Sequence, residues 1–150
     1  MAYSLRDFVR ESNRIEGILR VPTAAELEAH DALLDRHRLN VTDIQDFVHI
    51  IAPGKRLREV PGMNVRVGQH IAPDGGPQIV TELMAILDAA NVGAQTPYAL
   101  HRAYETLHPF MDGNGRSGRA LWLWMMGGIE RAPLGFLHHW YYQSLQDGRP

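Results

Sequence analysis

The feature of this sequence that most constrains its fold is a series of segments in which apolar residues recur at intervals of three and four. This spacing places the apolar side chains along one face of an α-helix. Residues 77–91 are the clearest example, and the apolar face of the predicted helix consists of Ile79, Leu83, Ile86 and Leu87. We therefore expect a largely helical chain.

Threonine residues mark where several of the predicted helices begin. Thr23 lies three residues before Glu26, which is the spacing of a capping box, and Thr42 and Gln45 repeat it. Thr96 is followed by a proline, a residue that suits the first position of a helix. The predicted helices cover about residues 4–17, 23–37, 42–51, 77–91, 96–107, 115–126 and 134–145.

Residues 55–76 follow a different pattern. Val65, Val67 and Gln69 recur at intervals of two, and glycine and proline lie at both ends of the segment. Such alternation between turn residues is typical of a short hairpin or an extended flap. We therefore predict one compact all-α domain over residues 1–150 that carries a short β-hairpin flap.

Composition and charge exclude several classes of protein. The formal net charge of −2 gives no basis for bulk electrostatic binding to nucleic acid, and the lack of cysteine excludes disulfides and thiolate metal sites. The longest apolar run, ALWLWMMGGI, has about half the ~20 residues that a membrane-spanning helix needs. The N-terminus lacks the apolar core of a signal peptide. We expect a cytoplasmic protein that binds neither nucleic acid nor membranes.

Reactive and phosphate-binding residue types are concentrated in residues 107–126, LHPFMDGNGRSGRALWLWMM. The glycines on both sides of Asn114, directly before a predicted helix, allow backbone N–H groups to converge on an anion. Arg116 and Arg119 are three residues apart, so both side chains can lean over the first helical turn toward one anion. A glycine-rich turn that merely begins a helix is the alternative. The apolar run that follows is expected to be a helix in the core.

His108 and Asp112 add two further functions to this stretch. The imidazole of His108 can accept a proton from a hydroxyl near neutral pH. Asp112 supplies the carboxylate that Mg²⁺ takes beside phosphate oxygens. Taken singly, each has a structural explanation, His108 as a cap of the preceding helix and Asp112 as a turn residue. Together with the anion site they predict transfer of a phosphate-containing group from a nucleotide to a hydroxyl.

The motif HPFMDGNGR, with a second arginine three positions later, resembles the HxFx(D/E)GNGRxxR signature of the Fic family at every fixed position. Members of this family typically transfer AMP from ATP to a serine, threonine or tyrosine hydroxyl of a target protein. The resemblance implies a helical core with a flap, ATP as the substrate and Mg²⁺ as the cofactor. It also implies that His108 is the base and that Asp112 is the Mg²⁺ ligand.

The resemblance further implies how the phosphates are held. An anion hole would consist of Gly113, Asn114 and Gly115, with Asn114 near the α-phosphate. Arg116 would lie near the β-phosphate, and Arg119 would bind the γ-phosphate. The implied reaction is in-line displacement at the α-phosphorus with pyrophosphate as the leaving group.

Two other segments resemble parts of Fic proteins. In the family a flap pairs with the backbone of the target protein, and the corresponding residues here are Asn64, Val65, Arg66 and Val67. A tyrosine pair that lies near the adenine in family members corresponds to Tyr141 and Tyr142. An ordinary surface hairpin and core packing of the last helix are the respective alternatives.

The segment SNRIEG resembles the inhibitory motif (S/T)xxxE(G/N) of the same family. Ser12 and Glu16 are four residues apart and so share one face of the first predicted helix. In inhibited relatives the glutamate pairs with the second arginine of the active-site motif, which corresponds to Arg119. An exposed glutamate without such a role is the alternative.

The resemblance as a whole predicts a protein adenylyltransferase that is autoinhibited by Glu16. Its partners would be ATP and a protein target with a hydroxyl acceptor, either another protein or the enzyme itself. Three alternatives are open: removal of AMP from a modified protein at the same site, transfer of another nucleotide or phosphate group, and nucleotide binding without catalysis. The motifs give no indication of the oligomeric state.

Overall fold

The computed structural model describes residues 3–132, and within them the chain is mostly helical. The α-helices are α1 (Leu5–Ile15), α2 (Ala24–Leu34), α3 (Val41–Ile51), α4 (Pro77–Val92), α5 (Pro97–Leu107) and α6 (Asn114–Met126), followed by a 3-10 turn at Ile129–Arg131. A two-stranded antiparallel hairpin, β1 (Arg66–Val67) and β2 (His70–Ile71), lies between α3 and α4 in the chain. The predicted all-α class with a hairpin flap is confirmed, and the helix predicted over residues 134–145 lies outside the described residues. Among residues 3–132, no helix has both the length and the apolar character needed to cross a membrane.

Two of the predicted helix starts are confirmed by side-chain caps. The Thr23 hydroxyl accepts a hydrogen bond from the Glu26 N–H, and the Glu26 carboxylate accepts one from the Thr23 N–H, which completes the capping box of α2. The Thr96 hydroxyl caps α5 by accepting from the Ala99 N–H. Each cap satisfies a backbone donor that has no partner inside the helix.

The capping box predicted for α3, Thr42 with Gln45, is wrong. Asn40 is the N-cap instead, and its side-chain oxygen accepts a hydrogen bond from the Asp43 N–H. The Asp43 carboxylate in turn accepts one from the Asn40 N–H. Because asparagine is at least as good an N-cap as threonine, the capping box that comes earlier in the chain begins the helix.

α2 ends at Leu34, three residues before the predicted end. The indole N–H of Trp124 on α6 donates to the Arg36 carbonyl oxygen at 2.8 Å. The side chain of Asn91 on α4 binds both the N–H and the carbonyl of Leu39, at 2.7 Å and 2.8 Å. These contacts from two other helices hold the backbone that follows α2 in a non-helical path.

α6 is the central helix of the domain. Its residues Leu121, Trp122 and Leu123 are at most 1 % exposed, since α1, α2, α3 and α5 all contact this helix. One face of α6 belongs to a large apolar core that it shares with α3, α4 and α5. The other face packs against α1, where the rings of Phe8 and Trp122 are stacked with 6.4 Å between their centroids. The prediction that this apolar run forms a helix in the core is confirmed for residues 120–123, whereas residues 124–126 of the helix are partly buried.

The flap is joined at its base to the loop between α5 and α6. Leu57 and Phe110 form an isolated antiparallel bridge. Two backbone hydrogen bonds of 2.9 Å flank the bridge, one donated by the Arg58 N–H and one by the Met111 N–H. The hairpin formed by β1 and β2 extends from this base, which is therefore fixed against the loop.

Leu83 and Met84 are neighbours on α4, and substitutions at these two positions test which face of the helix packs in the core. Leu83 is fully buried and Met84 is 51 % exposed. Leu83→Ala is expected to lower the free energy of unfolding by about 2 to 5 kcal/mol, because truncation leaves a cavity. Met84→Ala, the matched control, is expected to change it by less than about 0.5 kcal/mol. Urea denaturation followed by circular dichroism measures both, and equal losses would contradict the assigned core face.

Candidate active site

The loop between α5 and α6 is held in shape by the side chain of Asn114. Its amide oxygen accepts a hydrogen bond from the Phe110 N–H, and its amide nitrogen donates to the Phe110 carbonyl oxygen, both at 2.8 Å. Phe110 is 1 % exposed and anchors the loop in the core. The Asn114 side chain thus stabilises the loop, and its backbone begins α6.

His108 follows α5 directly and is oriented by the last turn of that helix. Its Nδ1 lies 2.9 Å from the Glu105 carbonyl oxygen, and because a carbonyl only accepts, the proton of the neutral ring is on Nδ1. Nε2 then carries the lone pair that a general base needs. The ring also faces His70 of the hairpin, with 6.3 Å between the centroids. His70 Nε2 lies 2.9 Å from the Thr106 carbonyl oxygen, which ties the hairpin to the end of α5.

The N-terminus of α6 presents backbone N–H groups that have no acceptor inside the helix. Gly113 is the N-cap with φ of 83°, and no side chain among residues 3–132 caps this helix. The positive end of the helix dipole lies at the same place. The exposed Asp112 carboxylate accepts a hydrogen bond from the Gly113 N–H at 2.7 Å. A carboxylate therefore lies directly beside the amides that are predicted to bind phosphate.

Arg119 forms most of the hydrogen bonds between the site and α1. Its Nε–H donates to the Ser12 hydroxyl and its Nη2 to the Ser12 carbonyl oxygen, both at 2.9 Å. Nη2 also donates to the Glu16 carboxylate at 2.6 Å, and only 6 % of the Arg119 side chain is exposed. The ion pair expected between Glu16 and Arg119 is present, and Ser12 of the same motif shares the contact.

The Glu16 carboxylate also lies against the first turn of α6. A Cβ added to Gly115 would collide with Glu16 Oε2, so the two residues are in direct contact. Glu16 is the C-cap of α1, where the helix dipole disfavours a carboxylate, whereas the N-terminus of α6 favours one. The carboxylate thus occupies a position that is stabilised by Arg119 and by the dipole of α6 together.

Arg116 does not share this contact. Its Nη1 donates to the Ile51 carbonyl oxygen at 2.8 Å, and the residue is 8 % exposed. Ile51 is the last residue of α3, and a helix C-terminus favours a positive charge. The expectation that Arg116 and Arg119 lean toward one anion is therefore not met in this structure, since one guanidinium points to α3 and the other to α1.

A second set of contacts, which was not predicted from the sequence, holds α1 against α2. Asn13 Nδ2 donates to Glu26 Oε2 at 3.3 Å, and Glu26 forms an ion pair with Arg20 at 2.7 Å. Burial by itself raises the pKa of Glu26, but hydrogen bonds from Arg20 and Thr23 outweigh it and lower the pKa to about 2. Glu26 is thus ionised near neutral pH and is a constant acceptor for Asn13. From the sequence, Glu26 was predicted only as the second residue of the capping box of α2, and its contact with Asn13 was not.

Glu105 is a mostly buried carboxylate behind the site that was not predicted from the sequence. It lies against Gly118 of α6, where an added Cβ would collide with Glu105 Oε1. The other neighbour is His101, whose Nε2 is 3.5 Å from the carboxylate. Burial opposes ionisation of Glu105, but His101 and the charges of Arg119 and His108 hold its pKa below the ordinary value. A negative charge on α5 therefore acts on Arg119 in addition to the charge on α1.

The predicted docking segment lies in the flap. Arg66 and Val67 form β1, and the Val65 carbonyl oxygen accepts a hydrogen bond from the Ala72 N–H across the hairpin. The Asn64 side-chain oxygen accepts a hydrogen bond from the Gly75 N–H at 2.9 Å, which closes the flap near its base. The pair predicted to lie near the adenine, Tyr141 and Tyr142, is outside the described residues.

The sequence model of the Fic/DOC family matches residues 24–126. The chain belongs to the Fic/DOC family. The match spans more than half of the chain and includes the flap, the loop after α5 and α6, but it begins after α1. A search of curated proteins and a search of solved structures found no match.

Glu16→Gln is expected to loosen α1 on this Fic/DOC-family domain without unfolding the core. The substitution keeps the size of the side chain but removes the charge that pairs with Arg119, and hydrogen bonds to charged groups are the stronger ones. Amide hydrogen exchange over residues 5–15 should rise at least ~5-fold, the effect of about 1 kcal/mol, while exchange in α4 stays unchanged.

Glu28→Gln is the matched control for this measurement. Glu28 is exposed on α2, and its neutralisation should leave the exchange of α1 as in the wild type. Unchanged exchange in both variants would show that the ion pair of Glu16 does not hold α1 in place.

Proposed function

We propose that this Fic/DOC-family protein is a Mg²⁺-dependent protein adenylyltransferase that transfers AMP from ATP to a hydroxyl of a target protein and is inhibited by its own α1. The observation that carries the proposal is the placement of Glu16. Its carboxylate pairs with Arg119 at 2.6 Å and contacts Gly115 in the first turn of α6. An acidic group at that position uses the same guanidinium and helix terminus that a phosphate group needs.

His108 supports the proposed transfer as the general base. Because its Nδ1–H donates to the Glu105 carbonyl oxygen, Nε2 takes the proton of the acceptor hydroxyl. The hydroxyl oxygen forms a bond to the α-phosphorus of ATP, the bond from that phosphorus to the bridging oxygen breaks, and pyrophosphate leaves with the electron pair. The hairpin lies beside this ring through His70, so a target segment that pairs with β1 would place its hydroxyl near the base.

The residues around the N-terminus of α6 fit a nucleotide bound with Mg²⁺. This ion takes one or two protein carboxylates together with phosphate oxygens and waters, and the exposed Asp112 carboxylate lies next to the N–H groups of the first turn. Asp112 would hold Mg²⁺, which offsets the negative charge of the phosphates.

Inhibition in this proposal follows from competition for Arg119. The nearly buried guanidinium is already bound to Ser12 and Glu16, so a γ-phosphate competes with the Glu16 carboxylate for it. ATP held without that contact would have its α-phosphate misplaced for in-line attack, and a misplacement of about 1 Å can slow a reaction ~100-fold. Arg116 would reach the β-phosphate only by exchanging its contact with Ile51.

Glu16→Gly is expected to raise AMP transfer at least ~10-fold, because removing one competing charge-assisted hydrogen bond is worth about 1.5 to 3 kcal/mol. The measurement is incubation with Mg²⁺ and ATP labelled at the α-phosphate, in the presence of host lysate. The double variant Glu16→Gly/His108→Ala is the control and should lose ~10²- to 10⁴-fold of the activity. Equal labelling of wild type and Glu16→Gly would contradict the inhibition, and labelling that survives in the double variant would reject His108 as the base.

The same variants separate the alternative functions. Release of AMP from a modified target that depends on Glu16 would support the reverse reaction. Label transferred from a different nucleotide, with none from ATP, would identify that nucleotide as the donor. ATP binding without any transfer in Glu16→Gly would support a binding role without catalysis.

Asp112→Asn in the Glu16→Gly background tests the proposed Mg²⁺ ligand. The amide keeps the size of the side chain and an acceptor for the Gly113 N–H, but it lacks the charge that attracts the ion. The Kd for ATP in the presence of Mg²⁺ is expected to rise at least ~10-fold, which is about 1.4 kcal/mol. Isothermal titration calorimetry with and without Mg²⁺ measures it. Asp88 is exposed on α4, and Asp88→Asn is the control. Equal Kd values for the two variants would show that Asp112 does not hold Mg²⁺.

A further inference from the structure

Arg58, at the base of the flap, is a fully buried arginine whose guanidinium faces backbone carbonyls. It is 0 % exposed, and it donates four hydrogen bonds, all of them to carbonyl oxygens. Burial of the guanidinium lowers its pKa, since desolvation disfavours the charged form. Burying a charge in this way is costly unless its hydrogen bonds are satisfied, so the identity of the four acceptors shows what the residue holds together.

The four acceptors belong to two separate segments of the chain. Nε–H donates to the His108 carbonyl oxygen at 2.6 Å and Nη2 to the Leu107 carbonyl oxygen at 2.7 Å, both at the end of α5. Nη1 donates to the carbonyl oxygens of Met63 and Pro73, at 3.0 Å and 2.7 Å, which lie before and after the hairpin. One planar guanidinium therefore joins both ends of the hairpin to the loop that carries the proposed base.

The backbone of Arg58 reinforces the same connection. Its N–H donates to the Pro109 carbonyl oxygen, and its own carbonyl oxygen accepts from the Gly76 N–H, both at 2.9 Å. The side chain and backbone of Arg58 thus contact three consecutive residues, 107–109, on one side and the flap on the other. No other contact described above joins the two segments through so many hydrogen bonds at one residue.

His108 has a backbone conformation that requires such support. With φ of 51°, it is the only residue other than glycine with a positive φ among residues 3–132. The left-handed region is strained for a residue with a Cβ, and it persists where the surrounding structure determines the conformation. Hydrogen bonds from Arg58 to the carbonyls of Leu107 and His108 fix the peptide groups on both sides of the His108 Cα.

We propose that Arg58 is a positioning residue, which holds His108 in the left-handed conformation and keeps the hairpin in a fixed place relative to it. The catalytic consequence rests on the proposed function, in which His108 Nε2 takes the proton of a hydroxyl brought by the flap. Both partners of that proton transfer are placed by one side chain. Lysine does not replace it, since a single ammonium lacks the planar fork that reaches carbonyls on two segments at once.

The kinetic test compares Arg58→Lys with Arg56→Lys, both in the Glu16→Gly background. Arg56 is two residues earlier and its side chain is 67 % exposed, so its replacement is the matched control. Arg58→Lys is expected to lower kcat for AMP transfer ~100-fold because base and acceptor are misplaced. The KM for ATP should change less than ~2-fold, since the proposed phosphate contacts lie on α6. An equal loss in Arg56→Lys, or a loss confined to the KM for ATP, overturns the proposal.

Nuclear magnetic resonance provides a test that does not depend on transfer activity. The ¹³Cα shift of His108 reports its backbone conformation, and in Arg58→Lys it is expected to move toward the value of the unfolded chain. Hydrogen exchange over residues 63–73 should rise at least ~10-fold while α4 is unaffected. If both changes occur and no variant transfers AMP, the proposed function fails and the positioning role stands. An unchanged shift and unchanged exchange overturn the positioning role whatever the activity.

Arg58→Gln takes the place of the lysine variant if that variant does not fold. If neither variant folds, the nuclear magnetic resonance spectrum of the wild-type protein tests the proposal. The Nε–H of Arg58 is expected to exchange with water far more slowly than that of Arg56 and to show a hydrogen-bond coupling to the His108 carbonyl carbon. Exchange as fast as that of Arg56, without the coupling, overturns the proposal.

Discussion

The guanidinium of Arg119 is a nearly buried positive charge, and the arrangement of the site depends on which anions balance it. In this structure they are Glu16 at the end of α1, in direct contact, and Glu105 on α5. Removing one partner of a buried ion pair is costly because it leaves a charge without compensation. In the proposed function an incoming phosphate would offer that compensation, so the occupancy of the proposed phosphate site and the position of Glu16 would be coupled by the charge of Arg119.

The extent of movement that this coupling requires is limited by the core. Phe8 and Val9 on α1 are fully buried, and Phe8 is stacked on Trp122 of the central helix. Exposing two such side chains would cost about 3 to 6 kcal/mol at 1.5 to 3 kcal/mol each. Rotating away the side chain of Glu16, the C-cap residue of α1, breaks only its ion pair with Arg119 and its contact with Gly115. We therefore expect displacement of the Glu16 carboxylate to precede any release of the whole helix.

The features that were predicted correctly from residue spacing have partners that lie close together in the chain. The caps at Thr23 and Thr96 and the buried face of α4 follow from residues three or four positions apart. The error at Thr42 has the same origin, because two capping boxes overlap there and local spacing does not show that Asn40 with Asp43 prevails. The contact between Glu16 and Arg119 was predicted only through the resemblance to a family, since the two residues are 103 positions apart.

The sequence by itself determined which segments of residues 3–132 are helical, that a hairpin interrupts them, and that the residues predicted to bind an anion lie at the start of α6. Only the tertiary structure decided where the guanidiniums point: Arg58 to the end of α5, Arg116 to the end of α3 and Arg119 to α1. Helix formation and capping depend on backbone hydrogen bonds between near neighbours. The acceptors at these helix ends, His108, Ile51 and Glu16, lie 50, 65 and 103 residues away from the three arginines. No local spacing relates these donors to their acceptors, and only the packing of the helices brings them together.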